Sequence, residues 1–416
     1  MAFFLVSHNS KKSKARLGTI TTDHGVVRTP AFVPVGTKGT IKGLTQEHIK
    51  ELNIQLSFVN TYHLVVHPGV EVLAHAGGIH ALAHYSIPLM SDSGGFQVFS
   101  LAKRQKERRS ARVRGDEEPL VEKIDENGVV FRSTYNGQKI IFTPETSMDF
   151  QRTIGADINM AFDECTYYPA THEYTEKAMN RTHEWLKRCV EHRKGSKPNF
   201  SISSGYPALR ASQVDEKLTS SPFSAPTSHQ FLYGIIQGGT FEDLRKKSAE
   251  FVVAQNTPGI AIGGVSVGES KEEMRNQVKW VAPYLPKDRP VHLLGVGQVD
   301  DIVDLVQHGI DTFDCVEPTR VARMGTAYQT SAVLAHVDGL HSPYEIDLNK
   351  MEYKTDLSPL DAECSCSTCV HYSKAFIHHL FKQRELLGYT LLSYHNLFVM
   401  ERLMDKIRVS IEANIL

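Results

Sequence analysis

Apolar residues along this chain fall into short uninterrupted runs, separated by longer stretches in which charged residues recur at helical spacing. Eight runs stand out, at 31–35, 56–60, 87–91, 157–162, 231–236, 259–263, 291–294 and 311–314. Continuous apolar runs of this length suit parallel strands buried on both faces rather than strands with one wet face. Several intervening stretches predict helices. The segment 45–52 opens on a Thr cap, and 175–192, 242–255 and 271–284 carry charges at i and i+4. Eight β-α units predict an α/β fold, a (β/α)8 TIM barrel. A doubly wound sheet is the alternative, but eight parallel strands favour closure.

Two stretches interrupt the repeat, at about 103–142 and 195–229. The first begins with a run dense in Lys and Arg at 103–114. It reads either as a solvated charge run or, because it follows the Asp92 loop, as a phosphate contact. The Asn-Gly signals at Asn127-Gly128 and Asn136-Gly137 flank apolar runs and predict a small antiparallel excursion over 129–133 and 139–142. The second interruption is rich in Ser and Pro and reads as a long surface loop. Beyond Asp314 the pattern changes. Leu397, Met400, Met404, Ile407 and Ile411 recur at helical spacing and predict an amphipathic C-terminal helix. The expected organisation is a barrel over 1–330 carrying both insertions, and an appended metal-binding subdomain with the last helix over 331–416.

The residues that follow the predicted strands share a chemistry. The third run leads into Asp92-Ser93-Gly94-Gly95-Phe96-Gln97, the fourth into Asp163-Glu164-Cys165, and the fifth into Gln237-Gly238-Gly239. The sixth leads into Gly264-Val265, the seventh into Gly295-Val296-Gly297, and the eighth ends at Asp314. Strand ends carry turn residues in any protein. Turns do not require Asp, Asp, Gln and Asp at four separate strand ends. In a barrel these residues share the active-site face.

Composition narrows the classes. A formal net charge of −1 over 416 residues does not announce a polyanion partner, so any nucleic-acid surface must be a local patch. No stretch approaches the roughly 20 apolar residues of a membrane span, and the N-terminal apolar run is too short for a signal peptide. Cys165, Cys189 and Cys315 are dispersed and read as free thiols, which points to a reducing compartment, the cytoplasm. The other three of the six cysteines, Cys364, Cys366 and Cys369, lie together. Thiolates this close cannot all pair with one another, but they can converge on one zinc ion. His371, His378 and His379 are nearer in sequence, yet His395 is the preferred fourth ligand, because a returning helix could present it across the cysteine loop. Four protein ligands leave no place for a reacting water, which argues for a structural metal and against a deaminase-like catalytic one. His63 and His67 form no metal motif, since the Glu of His-Glu-x-x-His is missing and Pro68 follows. Gly295-x-Gly297 is too little for a dinucleotide fingerprint.

Asp92 and Asp314 arise on different strands and would face one mouth. Two carboxylates across a bound sugar can break a glycosidic bond, one attacking C1′ and the other moving a proton at the leaving group. Asp163, Gln237 and the Gly264-Val265 backbone could form a flat donor and acceptor edge for a planar heterocycle, with Phe96 stacked on its face.

These motifs, together with Phe313-Asp314-Cys315-Val316-Glu317-Pro318-Thr319-Arg320 and the Cys364-x-Cys366-x2-Cys369…His395 set, resemble the tRNA-guanine transglycosylases, in order and spacing, over about 16–416. The resemblance implies a TIM barrel with a structural zinc subdomain. It implies exchange of guanine at wobble position 34 of tRNAs with GUN anticodons for a 7-deazaguanine, preQ1 or queuine. Asp314 would be the nucleophile and Asp92 the general acid/base. Ser93, Gly94, Gly95, Phe96, Asp163, Gln237 and Gly264 would hold the base. Gly295, Val296, Gly297, Gln298, Val299, Asp300 and Asp301, with Thr319, Arg320, Val321, Ala322 and Arg323, match segments that touch the anticodon loop. The target nucleotide would have to leave its stack. Val267 follows the bacterial pattern and favours preQ1. Both insertions are longer than the family usually carries, and Val299-Asp300-Asp301 departs from a Pro-Glu-type sequence. Bacterial members are homodimers, with Tyr372 and Phe376 as candidate interface aromatics. A partner subunit that kept the fold without the chemistry would be expected to lose the acids, and both are present.

Overall fold

The structure is a computed structural model that describes residues 2–95, 120–133, 137–195 and 228–416. Phe96 and the basic run 103–114 therefore lie outside the described residues, as does nearly all of 195–229.

Eight parallel strands close a barrel: β1 (Ala31–Pro34), β2 (Ser57–Val59), β3 (Leu89–Ser91), β4 (Ile158–Met160), β5 (Phe231–Ile236), β6 (Gly259–Ile262), β7 (Val291–Leu293) and β8 (Thr312–Cys315). Each pairs with its neighbours in chain order, and β8 pairs with β1. The Val35–Phe58 bridge joins β1 to β2 and completes the ring, with Gly36 N donating to Phe58 O at 2.7 Å. Almost every residue of these strands is buried, as expected of strands covered on both faces.

The helices between them follow their local sequence. Helix α1 (Gln46–Glu51) starts at Thr45, whose hydroxyl accepts from His48 N, while α2 (Pro144–Ile154) starts at Thr143 with Pro at its first position. Then come α3 (His172–Gly195), α4 (Glu242–Ala254), α5 (Lys271–Val281), which Ser270 caps, α6 (Val299–Val306) and α7 (Glu317–Ala322). The excursion between β3 and β4 is a three-stranded antiparallel sheet, Leu120–Asp125, Gly128–Arg132 and Lys139–Phe142. Its first strand was not expected from the sequence.

An N-terminal antiparallel sheet, Phe4–Asn9, Arg16–Thr22 and Gly25–Thr29, was also not anticipated. Phe4, Ile20 and Val27 pack into one cluster with Leu56, Met90, Ile158 and Tyr233 from the barrel. Arg16 anchors this sheet by a two-pronged pair with Asp311, at 2.9 and 2.6 Å. The C-terminal ends of the strands lie at the other end of the barrel.

After α7 the chain forms a two-stranded ribbon, Thr326–Tyr328 with Glu345–Asp347, passes the cysteine loop, and ends in α8 (Leu386–Glu412). Leu397, Met400, Met404, Ile407 and Ile411 of α8 are all buried, and the helix packs on α7, β1 and the ribbon.

Candidate functional site

The C-terminal ends of the strands surround a cavity of about 540 Å³. Asp92, Ser93, Asp163, Gly264, Gly295 and Asp314 line it, each from a strand end or the loop after it. The barrel therefore gathers residues that are far apart in sequence.

Asp92 follows β3 and is buried. Its Oδ2 accepts from Asn60 Nδ2 at 2.9 Å and its Oδ1 from Thr61 N at 2.5 Å. Burial nevertheless dominates and pushes its carboxyl up to about 6. Asp163 follows β4. Ser93 Oγ donates to its Oδ1 at 3.0 Å and Gln237 Nε2 to its Oδ2 at 2.7 Å. Burial also raises this carboxyl to about 6, with the Asp92 and Glu164 charges adding to the effect. Gln237 Oε1 is buried and has no hydrogen-bond partner among the described residues. An acceptor in that state offers a place for a ligand N–H.

Backbone forms the rest of the floor. A side chain at Gly264, which has φ +61°, would lie 2.2 Å from Gln237 Oε1, so only glycine leaves the amide in place. Gly94 and Gly95 are equally confined, against Phe142 and the Asp163 carbonyl. Ser147 of α2 steadies their loop by donating to Ser93 O at 2.7 Å.

Near the loops after β5 and β6, two functional candidates were not expected from the sequence. Arg245, fully buried on α4, donates to the carbonyls of Gly239, Gly263 and Gly264 at 2.6–2.7 Å and also to Gln277. It ties together the loops after β5 and β6. Glu269 lines the cavity and accepts from Ser266 N and Val267 N at 2.6 and 2.8 Å. Ser266 there adopts a left-handed φ of +58°, a strained state that must be held by its surroundings. The one available signal was the pattern of polar residues after β6, read only as far as Gly264-Val265.

Asp314, in β8, faces the same cavity. Among the described residues its carboxylate is met at Oδ1, by Gly295 N at 3.0 Å and His292 Nε2 at 3.1 Å. Along the rim, Gly295 and Arg320 are exposed, and Gln298 and Arg320 also line the cavity. Val296, Gly297, Val299, Thr319 and Ala322 are buried, while Val321 and Arg323 are half-buried. Asp301 is engaged by Arg275 at 2.7–2.8 Å and Asp300 by Lys271 and Arg275.

A second constellation lies away from the cavity. The Sγ atoms of Cys364, Cys366 and Cys369 stand 3.7, 3.5 and 3.3 Å from His395 Nδ1, which α8 presents. Tetrahedral zinc with bonds of about 2.3 Å to sulfur and about 2.0 Å to nitrogen gives an S···N edge of about 3.5 Å. Nε2 of His395 donates to Tyr328 O at 2.7 Å, so the Nδ1 lone pair is directed at the sulfurs. His378 instead uses Nδ1 on Leu348 O, and His371 and His379 are exposed and outside the cluster. The buried Cys3His set fits a structural metal site. His24, His80 and Asp157 also lie together, but the two rings stack at 3.6 Å and 7°. Parallel rings so close cannot both aim a lone pair at one ion.

The sequence profile of a family described as queuine tRNA-ribosyltransferase matches residues 10–416. Relatives of that name include one from Lysinibacillus sphaericus, 40% identical over 404 residues, covering 97% of this chain and 90% of that protein. Another, from Caldanaerobacter subterraneus, is 40% identical over 408 residues, 98% of this chain and 93% of the relative. A third, from a Roseiflexus species, is 40% identical over 410 residues, 98% and 95% respectively.

Proposed function

The chain belongs to the queuine tRNA-ribosyltransferase family, and from that premise we propose that it is a tRNA-guanine transglycosylase of queuosine biosynthesis, exchanging guanine 34 for a 7-deazaguanine. The observation that carries the reading is the convergence of Asp92, Asp163 and Asp314 on one cavity. Asp314 attacks C1′ of the target ribose. The C1′–N9 bond breaks as the Asp314–C1′ ester forms, and Asp92 passes a proton to the departing guanine. The incoming base returns a proton to Asp92 and attacks C1′, and the Asp314 carboxylate leaves. Protons balance over the cycle, and one N-glycosidic bond replaces another. A carboxyl near 6 can both give and take a proton at neutral pH.

Asp163, Ser93, Gln237 and Gly264 hold the base edge, with Gly94 and Gly95 shaping the loop and Phe96 stacking on the ring. Gly295, Gln298, Arg320 and their neighbours meet the anticodon loop. Zinc is the metal at the Cys3His set, where its role is to fix α8 in place. The stacked Tyr372–Phe376 pair, with Phe376 exposed, supports a homodimer contact. No helix among the described residues is long and apolar enough to cross a membrane, and free cysteines support a cytoplasmic location.

Incubation with tRNA and labelled preQ1 or queuine tests this reading. Val267 in place of the eukaryotic Gly supports preQ1 as the incorporated base. Incorporation of neither base, under conditions where a known transglycosylase works, removes the proposal.

A further inference from the structure

Asp314 does not stand alone in the barrel. His292 of β7 lies fully buried beside it, opposite Thr312 in the parallel register. Its Nδ1 is 2.9 Å from Thr312 Oγ1 and its Nε2 3.1 Å from Asp314 Oδ1. Thr312 and Asp314 are two residues apart, so they project from the same face of β8, and one imidazole can bridge both. Phe58 covers the ring at 6.0 Å between centroids and 16° between planes. The result is a hydroxyl–imidazole–carboxylate chain inside the barrel wall.

Hydrogen-bond logic orients this chain. An ionised carboxylate only accepts, so Nε2 must carry the proton that faces Oδ1. Nδ1 then accepts from the Thr312 hydroxyl, or donates to it if the ring is cationic. In both cases Oδ1 keeps two donors, His292 Nε2–H and Gly295 N–H. Resting on the transglycosylase reading above, we infer that His292 is a positioning residue, which reserves Oδ2 of Asp314 for attack on C1′. When the Oδ2–C1′ bond forms and C1′–N9 breaks, Oδ1 becomes the ester carbonyl and retains the same donors. When the second base displaces the carboxylate, those donors receive the returning charge. His292 itself touches no substrate.

The test compares His292→Phe, His292→Gln and Thr312→Val with wild type in exchange kinetics and in single-turnover trapping of the tRNA adduct. His292→Phe keeps an aromatic volume but removes the donor. Its kcat falls roughly 10- to 100-fold, as expected for losing a hydrogen bond to a charged group, while KM for tRNA stays within about twofold. His292→Gln places an amide donor near the Nε2 position and recovers most of that loss. Thr312→Val leaves the donor but loosens the ring, and kcat falls several-fold at unchanged KM. This variant preserves side-chain shape, so it reads the same question if His292→Phe does not fold. A folded His292→Phe enzyme with wild-type kcat overturns the inference. So does equal impairment of the Gln and Phe variants, or a Thr312→Val enzyme with wild-type kcat. Wild-type protein in the same assay separates the two levels: if it forms neither product nor adduct, the transglycosylase reading itself fails.

Discussion

At the mouth of the barrel, Asp92, Asp163 and Asp314 are buried around a cavity, and Gln237 Oε1 has no partner among the described residues. Beneath α8, Cys364, Cys366, Cys369 and His395 are buried just as deeply, but all four ligand atoms point at one another. Burial of polar groups is costly in both places. The difference lies in where the compensation comes from. The Cys3His set closes on itself once a metal is bound, and its fourth ligand is fixed from behind by Tyr328 O. The mouth holds each carboxylate by some of its lone pairs and leaves the remainder open. A closed polar cluster stabilises the fold, whereas an open one stores unmet interactions that a ligand can satisfy.

Replacing Asp314 by Ala gives the largest separation of the two regions. Exchange is expected to fall by roughly 10³-fold or more and the tRNA adduct to vanish, because the proposed nucleophile is gone. Metal content should stay close to wild type, since the Cys3His set lies away from the cavity, and any change in melting temperature should be small beside that of metal loss, since Gly295 lines the cavity. Turnover of labelled guanine by this variant would remove Asp314 from the mechanism.

Metal removal probes the other side. Chelation, or Cys369→Ser, should release α8 from the ribbon and the cysteine loop. Structural zinc sites contribute enough to folding that a loss of several kcal/mol is expected, lowering the melting temperature by on the order of 10 °C. Elemental analysis should find one metal per wild-type chain and none in the variant. A metal-free protein with unchanged melting and helical circular dichroism would show that packing alone holds α8.

How far these regions could be read in advance differs for physical reasons. The eight barrel strands were visible because strands buried on both faces need unbroken apolar runs. The N-terminal sheet was not, because Arg16–Thr22 alternates buried and half-buried positions with Thr and Gly among them, a weak signal. Asp92, Asp163, Gln237 and Asp314 stood out by their position at strand ends, and Asp92, Asp163 and Asp314 line the cavity. Arg245 and His292 were not. Arg245 sits in an ordinary charged helix, and only folding brings three loop carbonyls to its guanidinium. His292 belongs to an apolar strand, and its partners Thr312 and Asp314 are on the next one. The choice of His395 over three nearer histidines rested on the predicted helix, and the Nδ1 geometry supports that choice. For Asp300 and Asp301, the sequence carried no sign that Arg275 and Lys271 of α5 would engage them.

The smallest predicted effect tests whether the open cluster carries a standing cost. In an unfolded chain the Asp92 carboxyl titrates near 3.8, and in the folded protein near 6, chiefly because it is buried. Below about pH 4 both states hold the proton, and the group contributes no penalty. Between about 4 and 6 the unfolded chain ionises first, so folding stability declines as pH rises. Above about 6 the penalty is complete, and at about 1.4 kcal/mol per pH unit it reaches ~3 kcal/mol at most. Asp92→Asn removes this titration, and Asn60 can turn its amide to meet the new one. The variant should therefore match wild type near pH 4 and become progressively more stable than it up to about pH 6, with a constant advantage beyond. It should still bind tRNA while turnover is blocked, because the proposed proton carrier is missing. Denaturation curves collected from pH 4 to 8 measure the gap. A gap that does not change with pH would mean that Asp92 lies in the folded enzyme no more strained than in water, and that the contrast between the two clusters does not extend to stability.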